Sequence, residues 1–164
     1  MNLKMTQIDV WAAEIRDEPG GLARTLGAVA ESGADLDCVL ARRMSEHDGR
    51  GVVFMTTLND REKLDGAGQT GLHRVTHLAT LKIEGTDHPG IGADLTRIVA
   101  EAGVNLHGLT ATVIGRHFVC YASFDSVADM KTALGAIKAN FKDTRHHWRD
   151  LLPHHEEKKE KISA

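Results

Sequence analysis

Hydrophobic and polar positions along this chain follow two periods, and the order of these periods is the same in both halves. Strand-like runs of apolar or alternating residues lie at 11–15, 35–43 and 52–58 in the first half and at 80–83, 105–114 and 118–124 in the second. Between the first and second run of each half, apolar residues recur every three or four positions, the period of a helix with one buried face. Each half therefore predicts the order β-α-β-β.

The two halves also match residue by residue. When the chain is shifted by 70 positions, residues 17–36 align with residues 87–106, and nine of the 20 pairs are identical, whereas average residue usage gives about one. Both segments contain Asp-x-Pro-Gly before the predicted helix, where Pro fixes φ and Gly permits a tight turn. Gly33 and Gly103 follow where a helix is expected to end. We interpret the pattern as a duplication.

The copies differ after their second strands. The second copy turns at Gly115-Arg116, whereas the first has four extra residues in the corresponding hairpin, around 45–48. The second copy continues into a helix that Ser126 is expected to cap and that extends to Phe141. In the first copy, residues 61–64 predict a short helix or a loop, followed by a fourth strand near 73–75. A fourth strand is indistinct in both copies.

This order predicts an α+β fold of two βαββαβ units, each an antiparallel sheet with its helices on one face. We place the first unit at 1–76 and the second at 77–142. Residues 143–164 have many charges and few apolar positions. We expect them to form a partly disordered tail.

Composition and charge exclude several classes of function. The 164 residues include 41% hydrophobic and 26% charged residues, which is typical of a globular protein. No apolar run is long enough to span a membrane, and the first residues do not resemble a signal peptide. The formal charge of −3 offers no basic excess for nucleic acid. Two cysteines are too few for a disulfide framework, so we expect a cytoplasmic protein. Without a membrane span or a basic excess, we expect neither a membrane nor a nucleic-acid partner.

The Asp-x-Pro-Gly turns, the helices after them and the Gly-Ala/Val-Asp/Asn-Leu segments resemble the ACT domain. The likeness extends from Ile8 to Phe141, and the chain resembles a tandem ACT protein. The resemblance implies ferredoxin-like units in a homodimer without enzymatic activity. It further implies a regulatory module that binds a free amino acid, or a similar small metabolite, at an interface between units and signals to a partner protein in trans.

The resemblance also implies which residues bind the ligand. They come from the loop before the first helix and from the residue that opens the second strand of each copy: Asp17, Pro19, Gly20, Asp35, Asp87, His88, Pro89, Gly90 and Asn105. A zwitterion needs donors for its carboxylate and acceptors for its ammonium, and a helix N-terminus supplies donors. Because Asp35 is charged and Asn105 is neutral, we expect the two sites to bind differently.

Two other functions remain as hypotheses. The chain has ten histidines, with adjacent pairs at 146–147 and 154–155, which suggests a metal-responsive module. A ligand-free dimerisation adaptor is the other hypothesis, because the Pro-Gly turns reverse the chain with or without a ligand. The G-x-G-x-x-G at 66–71 does not open a helix after a strand, and Cys38 and Cys120 fit small core residues. We therefore expect no cofactor, catalytic residue or defined metal site.

Overall fold

The computed structural model describes residues 3–44, 49–57, 59–66 and 71–142. Within these residues the chain forms eight strands and four helices. In order they are β1 (Lys4–Ile8), β2 (Val10–Arg16), α1 (Gly21–Glu31), β3 (Cys38–Arg43), β4 (Arg50–Thr56), α2 (Arg61–Gly66), β5 (His73–Arg74), β6 (Ala79–Thr86), α3 (Ile91–Glu101), β7 (Gly108–Ile114), β8 (His117–Phe124) and α4 (Val127–Lys142).

The strands form two four-stranded antiparallel sheets. The first has the order β3-β4-β2-β5 and the second the order β1-β6-β8-β7. Helices α1 and α2 accompany the first sheet, and α3 and α4 the second. The predicted α+β fold is confirmed, and the order of strands in both sheets is that of a ferredoxin-like unit.

Each sheet has its own apolar core on the helix-covered face. In the first, Trp11 and Met55 alternate inward and pack with Leu64 of α2. Trp11 Nε1 also donates a hydrogen bond to Asp65 Oδ1 of α2 at 2.8 Å. The sequence left a short helix or a loop as alternatives for this segment, and the structure has a helix at Arg61–Gly66. In the second, α4 begins as expected, because the backbone N–H of Asp129 donates to Ser126 Oγ at 3.0 Å.

The fourth strand of the second sheet comes from the N-terminus of the chain. Strand β1 pairs antiparallel with β6, from Lys4 opposite Glu84 to Ile8 opposite Thr80. The boundary expected from sequence, with 1–76 in the first unit, therefore does not hold for Lys4–Ile8. The physical reason is that β6 has an open edge, and β1 covers this edge while Met5 packs against the second core. The predicted tail, 143–164, lies outside the described residues.

The two sheets meet through the faces that carry no helices. Thr80 and Lys82 point away from the helices of the second sheet, yet they are only 3% and 7% exposed. Lys82 Nζ lies 3.4 Å from Glu84 Oε1 and 3.8 Å from Asp37 Oδ1, which precedes β3. A buried ammonium without partners is costly. Glu84 lies on the same strand as Lys82, so Asp37 is the carboxylate through which Lys82 favours the facing arrangement of the sheets.

Close backbone packing at the start of α1 gives a prediction for stability. A Cβ atom added at Gly21 would lie 2.2 Å from the backbone oxygen of Arg16, whereas one added at Gly27, in the same helix, meets nothing within 4 Å. We expect Gly21→Ala to lower the free energy of unfolding by about 2 kcal/mol or more. Gly27→Ala should raise it by about 1 kcal/mol, because alanine favours helix. Urea denaturation measures both, and equal effects would contradict the packing at Gly21.

Candidate ligand-binding sites

The loop between β2 and α1 has the turn predicted for a ligand-binding loop. Pro19 is followed by Gly20 with φ of 86°, a left-handed conformation that favours glycine. The backbone N–H of Asp17 donates to the Gly49 carbonyl at 2.9 Å, which ties the loop to the β3–β4 hairpin. Among the described residues, no side chain caps the N-terminus of α1, so the first turn retains donors for an anion.

Charged side chains of both signs surround this loop. Arg43 Nε lies 2.6 Å from Asp17 Oδ2, and Glu18 forms an ion pair with Arg24. Beside them is an open pocket of about 360 Å³, whose walls include Arg42 and the apolar Ile15 and Leu22. We name it the loop pocket. A free amino acid has a carboxylate, an ammonium group and a side chain. Guanidinium groups, carboxylates and a small apolar wall can bind these three parts in turn.

The second loop has the same backbone but different chemistry beside it. Gly90 has φ of 93°, no described side chain caps α3, and the N–H of Asp87 donates to the Arg116 carbonyl at 2.9 Å. His88 Nδ1 lies 3.1 Å from the carbonyl oxygen of Pro89. The adjacent groove between α3 and β7 has a volume of about 210 Å³ and apolar walls, including Leu109 and Val113. The two loops are therefore not chemically equivalent.

Asp35 and Asn105 do not open their strands, because β3 begins at Cys38 and β7 at Gly108. Both are exposed. The N–H of Asp35 donates to Asp60 Oδ2 at 2.8 Å, and a hydrogen bond from Lys63 is the main cause that lowers the pKa of Asp60. Asp35 lies just before the start of β3, whereas the Asp17 loop lies beside the end of β3. The length of the strand separates Asp35 from that loop by about 20 Å. Within one chain the structure therefore does not bring the two predicted ligand residues together.

A cavity between the two sheets is the feature that sequence analysis missed. It has a volume of about 350 Å³ and is lined by residues of both sheets, among them Leu40, Phe54, Leu109 and Tyr121. We name it the inter-sheet cavity. The sequence carries a signal for this cavity, because Cys38, Leu40 and Phe54 are apolar and lie on the strand face turned away from the helices. On a sheet face exposed to solvent, residues at such positions are polar.

Polar groups in the walls of the inter-sheet cavity are mostly neutral and paired. Burial raises the pKa of the Cys38 thiol and outweighs a hydrogen bond with Tyr121, which acts in the opposite direction. Burial also raises the pKa of Tyr121 to about 12. Thr80 Oγ1 and Ser123 Oγ are 2.9 Å apart. Thr56 is different, because its buried Oγ1 has no hydrogen-bond partner among the described residues. This hydroxyl is therefore both unpaired and sealed from solvent.

Other candidates from the sequence give no site within the part of the chain described. No group of three or more His, Cys, Asp or Glu side chains there is arranged to bind a metal ion. The histidine pairs at 146–147 and 154–155, the hairpin at 45–48 and the glycine-rich positions 67–70 lie outside the described residues. None of the described helices is both long and apolar enough to cross a membrane.

The unpaired hydroxyl of Thr56 gives a testable prediction. Thr56→Val should raise the free energy of unfolding by about 1 kcal/mol, because it removes a buried polar group that has no partner. The matched change Thr80→Val should lower it by about 1 kcal/mol, because it breaks a hydrogen bond to Ser123. Chemical denaturation of both variants measures the difference. Destabilisation by both to the same extent would contradict the assignment of Thr56.

Comparison with known proteins adds information about the fold. No known family model matches the sequence. An aspartokinase from Mycolicibacterium smegmatis is 27% identical over an alignment of 121 positions that covers 66% of this chain and 29% of that protein. The chain therefore spans less than a third of the length of this curated relative.

Two solved structures are similar over most of this chain. The ligand-free regulatory subunit of aspartate kinase from Thermus thermophilus has a TM-score of 0.60 at 19% identity, covering 86% of this chain and 97% of that one. Protein BT0572 from Bacteroides thetaiotaomicron has a TM-score of 0.68 at 11% identity, covering 84% and 90%. Both likenesses are in fold, and they support the α+β fold that the sequence predicts.

Proposed function

We propose that this chain is a non-enzymatic regulatory module that binds a free amino acid, or a similar small metabolite, and signals its presence to another protein. The observation that carries the proposal is the composition of the loop pocket. There, the Asp17–Arg43 ion pair lies beside the uncapped N-terminus of α1 and an apolar wall. The likeness in fold to a regulatory subunit of aspartate kinase supports the regulatory role.

A zwitterion can replace the internal ion pair at little cost. Arg43 is 77% exposed and Asp17 is 30% exposed, and ion pairs between exposed side chains contribute little to stability. A bound amino acid would place its carboxylate at Arg43 and the first N–H groups of α1, and its ammonium at Asp17 and Glu18. Its side chain would contact Ile15 and Leu22.

The position of Asp35 indicates how a second copy would complete the site. Asp17 and Asp35 lie at opposite ends of β3, which is the outer strand of its sheet. If two β3 strands pair antiparallel about a two-fold axis, the start of one strand lies beside the end of the other. Asp35 of one copy then approaches the Asp17 loop of its partner. We therefore propose a homodimer with the ligand at the interface between units.

Exposed apolar residues favour the same interface. Strands β3 and β7 are outer strands of the two sheets, and both border the inter-sheet cavity, so they lie on one side of the chain. Val39 of β3 is 41% exposed, and Val113 and Ile114 of β7 are 50% and 74% exposed. Unpaired edge strands with exposed apolar side chains pair readily with another chain. One partner copy can cover both edges.

Signalling requires that the ligand favour one arrangement of the copies. A ligand held by two copies binds the paired state more tightly than the separated state and shifts the equilibrium towards it. The target is proposed to be a separate cytoplasmic protein that recognises the paired state. No role for nucleic acid or for a membrane is proposed.

The proposal predicts stabilisation by a small set of related amino acids. At a concentration about 100 times the Kd, one ligand adds roughly 2.7 kcal/mol to stability, which raises the Tm by about 5 °C or more. Thermal denaturation at fixed protein concentration, with each of the standard amino acids and then with nickel and zinc, measures this shift. Asp17→Asn should abolish the shift, and Asp87→Asn in the second loop should leave most of it.

Each contrary result identifies a different function. A shift with metal alone would replace this proposal with the metal-responsive module. No shift with any amino acid or metal would favour the ligand-free adaptor. Retention of the full shift in Asp17→Asn would contradict the loop pocket as the binding site.

The dimer is tested by breaking the proposed edge. Val39→Lys places a charge on β3 at a position that is already exposed, so the fold of the single chain should tolerate it. We expect sedimentation velocity to show a dimer for the original chain and a monomer for this variant. Val127→Lys, at an exposed position of α4 away from both edges, is the matched control and should remain dimeric. A dimer that survives Val39→Lys would contradict pairing through β3.

A further inference from the structure

We propose that the inter-sheet cavity is a second binding site, distinct from the loop pocket, and that it takes a small apolar molecule with one carboxylate. The cavity volume of about 350 Å³ lies at the lower end of the range of small-molecule sites, which is roughly 300–1,000 Å³. Its walls are mostly apolar with a few polar groups, as in sites for small molecules. The body of the ligand would contact Leu40, Phe54 and Leu109.

The polar groups near the cavity are buried or paired, so its walls offer mainly apolar surface. Thr56 is 6% exposed and lines the cavity, and its Oγ1 has no hydrogen-bond partner in the described part of the chain. The neighbouring polar groups are paired with one another, Thr80 with Ser123 and Cys38 with Tyr121. The Thr56 hydroxyl is sealed from the cavity, so the body of a ligand would meet apolar side chains and paired polar groups, and its charged group would have to bind at the edge.

Charge at the edge of the cavity selects an anion. Arg42 and His107 are the basic residues that line it. His107 Nδ1 is 2.7 Å from Asp125 Oδ1, so that ring already has a carboxylate partner. Lys82, nearby in the same interface, is paired with Glu84 and Asp37. No described carboxylate forms an ion pair with Arg42, so its guanidinium can bind a carboxylate of the ligand.

Such a ligand would contact both sheets at once. Leu40 and Thr56 belong to the first sheet, and Leu109 and Tyr121 to the second. Binding would therefore stabilise the facing arrangement of the sheets. Because Arg42 also borders the loop pocket, one side chain lies at both sites, and occupation of the cavity can change the affinity of the loop pocket.

The probe for this site is phenylacetate, compared with its neutral analogue phenylacetamide. Isothermal titration calorimetry on the full chain should show binding of phenylacetate at millimolar or lower concentration and weaker binding of the amide by about tenfold or more. Arg42→Met should remove this preference for the acid. Arg97→Met is the matched control, because this arginine lies on α3 and lines neither the cavity nor the loop pocket; it should leave phenylacetate binding unchanged.

A filled cavity gives the second test. Leu40→Trp should abolish phenylacetate binding, and circular dichroism with thermal denaturation confirms that the variant is folded. Should that variant not fold, Thr110→Trp, which fills the cavity from the second sheet, serves the same purpose. No binding of phenylacetate, equal binding of the amide, or full binding by a folded Leu40→Trp chain would each overturn the proposal. Because Asp17→Asn leaves the cavity intact, failure of the loop pocket would appear separately, as a lost amino-acid response with phenylacetate binding retained.

Discussion

A single residue between two strands of different sheets holds the rest of this structure in place. Strand β1 ends at Ile8 and completes the second sheet, and β2 begins at Val10 in the first sheet, so only Asp9 connects them. Its carboxylate lies 2.9 Å from Arg61 at the start of α2 and 2.7 Å from Arg74 in β5. A one-residue connection cannot span a large separation. As long as β1 stays paired with β6, the two sheets therefore stay close to each other at this point.

Duplication has preserved the backbone of the two units and changed the side chains beside their loops. Both loops place glycine in the left-handed conformation directly before a helix. Arg42 and Arg43 beside the first loop correspond to Thr112 and Val113 beside the second. The first unit therefore presents charges suited to a zwitterion, and the second presents an apolar edge suited to another protein surface. The two copies of one fold thus differ in chemistry at equivalent positions.

Strand alternation assigns neighbouring residues of β3 to different sites. Successive side chains point to opposite faces of a sheet, so Arg42 lines the cavity between the sheets while Arg43 pairs with Asp17 at the loop. A movement of this strand would change both sites together. This is the physical basis on which a ligand in one site can affect the other, since both share the same backbone.

The sequence by itself determined the features that depend on neighbours along the chain. The helical period, the Asp-x-Pro-Gly turns, the Ser126 cap and the two-residue turn at Gly115-Arg116 all follow from local rules, and all are present in the structure. Only the tertiary structure decided that β1 completes the second sheet, that Asp35 lies a strand length from Asp17, and that two sheet faces enclose a cavity. These features depend on pairing between distant segments. A short strand such as β1 fits any open antiparallel edge, and the packing of Met5 against the second core favours β6.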